Sequence, residues 1–170
     1  MEQCHISKSS NVLNVGCGVG ATACFLAQQV GCRVMGVDIL PKMVERSRQR
    51  ASREKVADRV EFRVGDAQDL PFEADLFDAV MTESVTAFPP DKQKAVSEYA
   101  RVTKPGGYVG LNETAWLKTP PPPEVVAWAE QDIGASVKPL TPEAWTGLLE
   151  AAGLQEIMSK TYTIDMQVEA

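Results

Sequence analysis

Five short apolar runs, each followed by a stretch with helical spacing or a turn, limit what this chain can fold into. They are "NVLNVG" (11–16), "CRVMGVD" (32–38), "RVEFRVGD" (59–66), "LFDAVMTES" (76–84) and "YVGLNETAW" (108–116). Each is more nearly continuous than alternating, the pattern of strands buried on both faces in a parallel sheet. The intervening stretches supply the helices. One covers about 19–30 and stops at Gly31, and a second runs from Pro41, tolerated in a first helical turn, to about Arg53. A third starts after Asp91 as N-cap and runs through Thr103, with Ala95, Val96, Tyr99 and Val102 on one face. "KPGG" (104–107) reads as a tight turn and "TPPPP" (119–123) as a stiff spacer. Beyond them the spacing predicts helices over 124–134 and 141–153, the latter with Thr141 as N-cap, Pro142 in its first turn and Gly153 as its stop. The last segment, 154–170, alternates weakly and reads as a strand. The expected fold is α/β, a doubly wound, mostly parallel sheet with helices on both faces, in one domain over residues 1–170.

A chain of 170 residues can bury one substantial core. Its net charge is −6, and basic residues gather only around Arg46, Arg48 and Arg50, whose helical spacing suggests a solvated face. A nucleic-acid backbone calls for a basic patch, so nucleic acid is not an expected partner and a small molecule is. No run approaches the ~18 apolar residues of a membrane span, and the first residues lack the apolar core of a signal peptide. Cys4, Cys17, Cys24 and Cys32 fit neither a zinc site nor a Cys-x-x-Cys pair. They read as reduced thiols of a cytoplasmic protein with no metal site. His5, the one histidine, lies in an N-terminal stretch expected to be loose, which weighs against mechanisms built on a histidine base, a triad or several histidine ligands.

Parallel α/β sheets bind ligands beyond the carboxyl ends of their strands. Those ends carry the glycine loop "NVGCGVGA" (14–21), Asp38, Asp66, Glu83-Ser84 and Asn112-Glu113. Gly16-x-Gly18-x-x-Ala21 fits the dinucleotide fingerprint, while Gly16-x-Gly18-x-Gly20 fits the loop that holds S-adenosylmethionine in methyltransferases. Asp38, 20 residues after Gly18, can accept ribose hydroxyls from either cofactor, or can simply cap the next helix. Asp66-Ala67 separates the two cofactors. A carboxylate there can accept from an adenine amino group while Ala67 offers a backbone N–H to the ring, and dinucleotide folds do not routinely place an acid at that point. The plainer reading of Asp66 is a polar turn residue. A nicotinamide-dependent oxidoreductase would also need a catalytic histidine or a Tyr-x-x-x-Lys arrangement, and neither is found.

Taken in order, "VLNVGCGVGATACFLAQ", "VMGVDILPKMVERSRQRA", "VEFRVGDAQDLPF", "FDAVMTESV" and "ARVTKPGGYVGLNE" resemble the successive motifs of class I S-adenosylmethionine-dependent methyltransferases. The small-molecule branch with ubiquinone- and menaquinone-type methylases is the most similar. The motifs cover about residues 11–114 and are specific as an ordered set. The resemblance implies a seven-stranded sheet whose last strand is antiparallel, and S-adenosyl-L-methionine as cofactor, leaving as S-adenosyl-L-homocysteine. It places Gly16, Gly18 and Gly20 beneath the methionine part, with Asn14 and Cys17 among the cofactor-binding positions and the small Cys17 side chain fitting under the cofactor. Asp38 would hold the ribose, Ile39 would pack on the adenine face, Met43 would join it, and Asp66 with Ala67 would read the adenine edge. Thr82 and Glu83 would line the methyl-transfer end.

Glu83 and Glu113 are the candidate general bases. Glu83 could instead balance the sulfonium charge, and the bland reading makes both exposed turn residues. Relatives often carry a histidine shortly after the fourth strand, whereas "ESVTAFPPD" has Phe88 there, which suggests an apolar substrate wall. Trp116, Trp128 and Trp145 fall in the region that tends to set specificity, and Trp128 reads as part of a lid or as helix packing. Little chain precedes the first strand and 17 residues follow Gly153, so the sheet is expected to be short of its last antiparallel strand, in a naturally short or truncated methyltransferase. A homodimer or another partner chain would then cover the short termini. The expected activity is methyl transfer to a small-molecule acceptor, the alternative being a cofactor-binding module or partner subunit without turnover.

Overall fold

The computed structural model describes residues 5–117, 119–124, 126–127 and 138–163. Its strands are β1 (Asn11–Val15), β2 (Arg33–Asp38), β3 (Val60–Val64), β4 (Phe77–Glu83) and β5 (Thr103–Asn112). Its helices are α1 (Ala21–Gln29), α2 (Pro41–Arg53), α3 (Lys92–Val102) and α4 (Pro142–Ala151). The strands form one five-stranded sheet in the order β3-β2-β1-β4-β5, and every pairing is parallel.

Parallel pairing requires a crossover between neighbours, and the crossovers divide over the two faces. On one face Val12, Val34, Val60 and Phe62 pack with Ala23, Cys24, Leu26 and Ala27 of α1 and Val44 and Ala51 of α2. On the other, Leu13, Val15, Val37 and Val80 pack with Ala95, Val96, Tyr99 and Val102 of α3, and Leu148 and Leu149 of α4 close over them. Successive residues of central β1 serve opposite faces, which is why Val12, Leu13 and Val15 are all apolar. The fold is the doubly wound α/β sheet.

Local chemistry sets the helix ends. Asp91 caps α3, its carboxylate accepting from Lys94 N at 2.9 Å, and Thr141 caps α4 by accepting from Ala144 N at 3.2 Å. α1 has no side-chain cap, because Gly20 in the left-handed region (φ 78°) starts it.

β5 begins at Thr103, earlier than the sequence suggests, because "KPGG" is looped out inside the strand: Phe77 pairs with Thr103, and pairing resumes only at Ala79 with Tyr108. After β5, Ala115 bridges Leu140 in parallel. The 124–134 helix lies mostly outside the described residues, Trp128 with it; residues 124, 126 and 127 are helical. Residues 154–163 are not a strand, so the expectation for 154–170 fails over that part and its remainder lies outside the described residues. No antiparallel strand joins the sheet among the described residues, and β3 and β5 are its edges. No helix there is long and apolar enough to cross a membrane. His5 is set against Tyr108, ring centroids 5.5 Å apart, rather than hanging loose.

Candidate cofactor and methyl-transfer site

The three loop glycines all have positive φ (64°, 53° and 78° for Gly16, Gly18 and Gly20), a conformation side chains disfavour. Their surroundings differ. A Cβ on Gly20 would meet Ser47 Cβ at 2.8 Å and Phe62 Cζ at 3.0 Å, so this glycine lets α2 and β3 close on the loop. A Cβ on Gly16 would meet Val85 Cγ2 at 2.2 Å, so this glycine makes room for the turn after β4. A Cβ on Gly18 would meet nothing within 4 Å. Gly18 is therefore the point of the loop that a ligand can approach.

The loop is held from several sides. Cys17 N donates to Val37 O at 2.9 Å, Gly20 N to Cys17 O at 2.8 Å, and Arg50 Nε to Val19 O at 3.0 Å. Asp38, at the end of β2, accepts from Gly18 N through Oδ2 and from Leu40 N through Oδ1, both at 2.9 Å. It thus clamps the loop and closes a local turn onto Leu40, which is itself the N-cap of α2 and has no side-chain cap, and each oxygen keeps a lone pair for a further donor. Beside it, Ile39 is 62% exposed at the rim, an apolar side chain open to a flat ring. Met43 is half-buried in the first turn of α2. Asp38 O accepts from Gly65 N at 3.1 Å, which brings the start of the Asp66-Ala67 turn alongside Asp38. Asp66 Oδ1 accepts from Gln68 N at 2.8 Å, and Gln68 Oε1 in turn accepts from Asp91 N at 3.1 Å. Ala67 packs on the α3-side core.

The ends of β4 and β5 form a second cluster. Glu83 is exposed and its Oε2 accepts from Thr22 Oγ1 of α1 at 2.5 Å. Thr82 is 1% exposed, with its hydroxyl 3.2 Å from that of Thr86 and 3.4 Å from Glu113 Oε1. Glu113 Oε1 also accepts from the backbone N–H groups of Val85 at 3.0 Å and Thr86 at 2.7 Å. Among the described residues, buried Glu113 Oε2 has no hydrogen-bond partner, and the buried Tyr99 hydroxyl, though near Thr86, makes no hydrogen bond of good geometry. Burial, reinforced by the negative charges of Glu113 and Asp66, pushes the Tyr99 phenol up to about 12. Phe88, on the same turn, is 44% exposed.

Several sequence expectations change in this setting. The Thr82 side chain does not line the open end; a hydroxyl that fully buried must be satisfied internally, and Thr86 and Glu113 do so. Cys17 is 7% exposed and turned into the core toward Gly36 and Phe62, so only its backbone serves the loop. Burial, with Asp38 nearby, pushes its thiol up to about 12. Asn14 is 2% exposed, its amide 3.5 Å from Met81 O and its Oδ1 without a partner among the described residues. The arginines of α2 are not a merely solvated face. Arg50 holds the glycine loop, and Arg48 Nη2 donates to Phe62 O at 2.8 Å. Trp145 is buried, with its indole N–H donating to Thr114 O at 3.2 Å. Thr22, Arg50, Gln68 and Val85 were not anticipated, since nothing local in the sequence marks which distant backbone a side chain will reach. Cys17, Cys24 and Cys32 are free thiols, and Cys4 lies outside the described residues. No group of side chains suited to a metal ion occurs among the described residues.

Residues 13–111, more than half of the chain, match the family described as "Methyltransferase domain". The chain is 30% identical over 153 residues to an uncharacterized protein of Haemophilus influenzae, covering 89% of this chain and 61% of that one. It is 32% identical over 136 residues to a probable tocopherol O-methyltransferase of Oryza sativa, covering 80% and 34%. A solved structure of Haemonchus contortus phosphoethanolamine N-methyltransferase 2 in complex with S-adenosyl-L-methionine superposes with a TM-score of 0.79 at 25% identity, over 89% of this chain and 35% of that one. The chain thus spans about a third to three-fifths of these curated relatives. An open Gly18, an acid at the end of β2 and another after β3 fit an adenosine-bearing ligand, and with these similarities the chain belongs to the class I S-adenosylmethionine-dependent methyltransferase family.

Proposed function

We propose that this chain, as one domain, transfers a methyl group from S-adenosylmethionine to a small organic acceptor, with S-adenosyl-L-homocysteine as the other product. The observation that carries the reading is Gly18, open to a ligand and clamped by an Asp38 carboxylate that retains acceptor capacity. Asp38 would take the ribose hydroxyls, Ile39 and Met43 the adenine face, and Asp66 with Ala67 the adenine edge. Asn14 would support the loop from below, and Gly16, Cys17 and Gly20 would contribute backbone.

The cofactor supplies a methyl carbon already activated by its sulfonium, so the acceptor displaces it in line. The protein's part is alignment, and holding two partners at near-attack distance contributes ~7–11 kcal/mol. A base adds only ~10²–10⁴-fold, and only for an acceptor that must lose a proton. Of the carboxylates proposed for that role, Glu83 is the exposed one, at the rim with Phe88 as an apolar wall. The relatives' names span tocopherol, sterol and norajmaline methylation, which supports a small-molecule acceptor without favouring one branch. A cytoplasmic location and a second copy or unlike chain over the open β5 edge complete the proposal.

Isothermal titration with S-adenosylmethionine, S-adenosylhomocysteine, NAD and NADH tests it. Micromolar binding of the first two alone, weakened by Asp66→Ala, is expected. Silence from both in a folded sample would remove the proposal.

A further inference from the structure

We infer that Glu113 is a positioning residue that sets the wall of the methyl-transfer end through the turn after β4, and is not a proton acceptor. The inference rests on the cofactor reading above and concerns what shapes that site from β5.

Glu113 Oε1 is engaged by three donors: Val85 N at 3.0 Å, Thr86 N at 2.7 Å and Thr82 Oγ1 at 3.4 Å. Oε2 is buried away from solvent, with no partner among the described residues. An acceptor molecule could reach neither oxygen without dismantling the turn, whereas a base must come within hydrogen-bond reach of the proton it removes. What the carboxylate does hold is two consecutive backbone N–H groups, as an oxyanion is held, and this fixes where Val85 points.

Val85 points at Gly16. Its Cγ2 lies 2.2 Å from where a Gly16 Cβ would be, so the isopropyl group rests directly on the glycine loop. A continuous contact path therefore runs from Glu113 just past β5, through the Val85 backbone after β4, to Gly16 after β1. Gly16 is absent of a side chain for the sake of Val85, while Gly18 leaves the open approach.

Two substitutions separate this role from the others. Glu113→Gln keeps an acceptor oxygen and the side-chain shape but loses basicity, whereas Glu113→Ala loses all three bonds. Each variant, and Val85→Ala, is compared with the unaltered chain by hydrogen exchange at the Val85 and Thr86 amides and by titration with S-adenosylhomocysteine. Glu113→Gln should keep both amides protected and the affinity within about twofold. Glu113→Ala should expose both amides and weaken binding by about tenfold, the size of one hydrogen bond to a charged group. Val85→Ala, which leaves the Glu113 bonds in place, should weaken binding several-fold while Thr86 stays protected. That variant also carries the test if Glu113→Ala does not fold. Equal damage from Gln and Ala, exposed amides with unchanged affinity, or unaltered affinity in Val85→Ala would each overturn the inference. Failure of the unaltered chain to bind any adenosyl ligand, with both amides protected, would instead remove the cofactor reading on which it stands.

Discussion

Asp38 ties the end of β2 to both the glycine loop and the start of α2, through two N–H groups at 2.9 Å. Hydrogen bonds to a charged acceptor contribute about 1.5–3 kcal/mol each. Asp38→Ala should therefore weaken S-adenosylhomocysteine binding at least roughly tenfold by calorimetry. An affinity within twofold of the parent would show that the clamp does not matter to the ligand. Cys17 shows the opposite relation between position and chemistry. It sits in the binding loop, yet burial pushes its thiol up to about 12, and burial raises Cys24 and Cys32 as well. The thiolate is the reactive form, so iodoacetamide should label these three only after unfolding. Rapid labelling of Cys17 in the native protein would contradict its place in the core.

Between elements, the glycine loop is packed on one side and open on the other. Gly20 yields to Ser47 and Phe62, and Gly16 yields to Val85. Gly16→Ala should cost more than left-handed backbone strain, because the new methyl overlaps Val85. Adding Val85→Ala should recover part of that loss in a double-mutant cycle read by thermal unfolding. Strict additivity would show that the two residues do not meet. At the other end of the turn, Asp91 caps α3 and also donates its own N–H to Gln68. Asp91→Ala should cost about 1 kcal/mol, a fall of roughly 2–4 °C in Tm. A larger fall would mean that the Gln68 link to the Asp66 turn is lost with the cap.

For the whole molecule, ligand linkage gives a direct readout. S-adenosylhomocysteine at a hundredfold its Kd should stabilise the fold by about 2.7 kcal/mol, roughly 5–10 °C in Tm, while NAD should leave Tm unchanged. The pH dependence follows from groups whose values differ between folded and unfolded chains. Cys17 and Tyr99 are raised by burial to about 12, so the unfolded chain releases these protons first. Their contribution is complete below the ordinary values of 9.0 and 10.0 and is lost as pH climbs toward about 12. Asp78 is held low by its hydrogen bond from Lys104, so its contribution is present above the ordinary carboxylate value and fades as pH falls. Tm measured across pH should decline at both ends, and a flat alkaline limb would contradict the burial of Tyr99. The β5 edge makes a further prediction about assembly. Light scattering should give a mass above that of one chain if a second copy covers it, and a monomer with β5 amides protected would remove that part of the proposal.

Much of the fold was legible because its signals are local. Continuous apolar runs gave the buried central strands β1 and β4, whereas edge strands β3 and β5 expose much of their length; Asp91 and Thr141 gave helix starts, and the order of runs and helices implied a parallel sheet. Asp38 could be placed for the same reason, being the last residue of a recognisable strand. The sequence also determined that Gly16, Gly18 and Gly20 form a strand-to-helix turn with left-handed backbone, since their spacing is itself the motif. Only the tertiary structure decided what each glycine makes room for, that Arg50 reaches Val19 O 31 residues away, and that Glu113 grips the Val85 and Thr86 backbone from the next strand. It also buried the side chains of Thr82 and Cys17. Periodicity tells which face of an element is apolar, but not which distant donor a polar side chain will meet. That pairing is fixed only when the crossovers bring β1, β4 and β5 side by side, because a polar group leaving water must find its partner among whatever the fold has placed there.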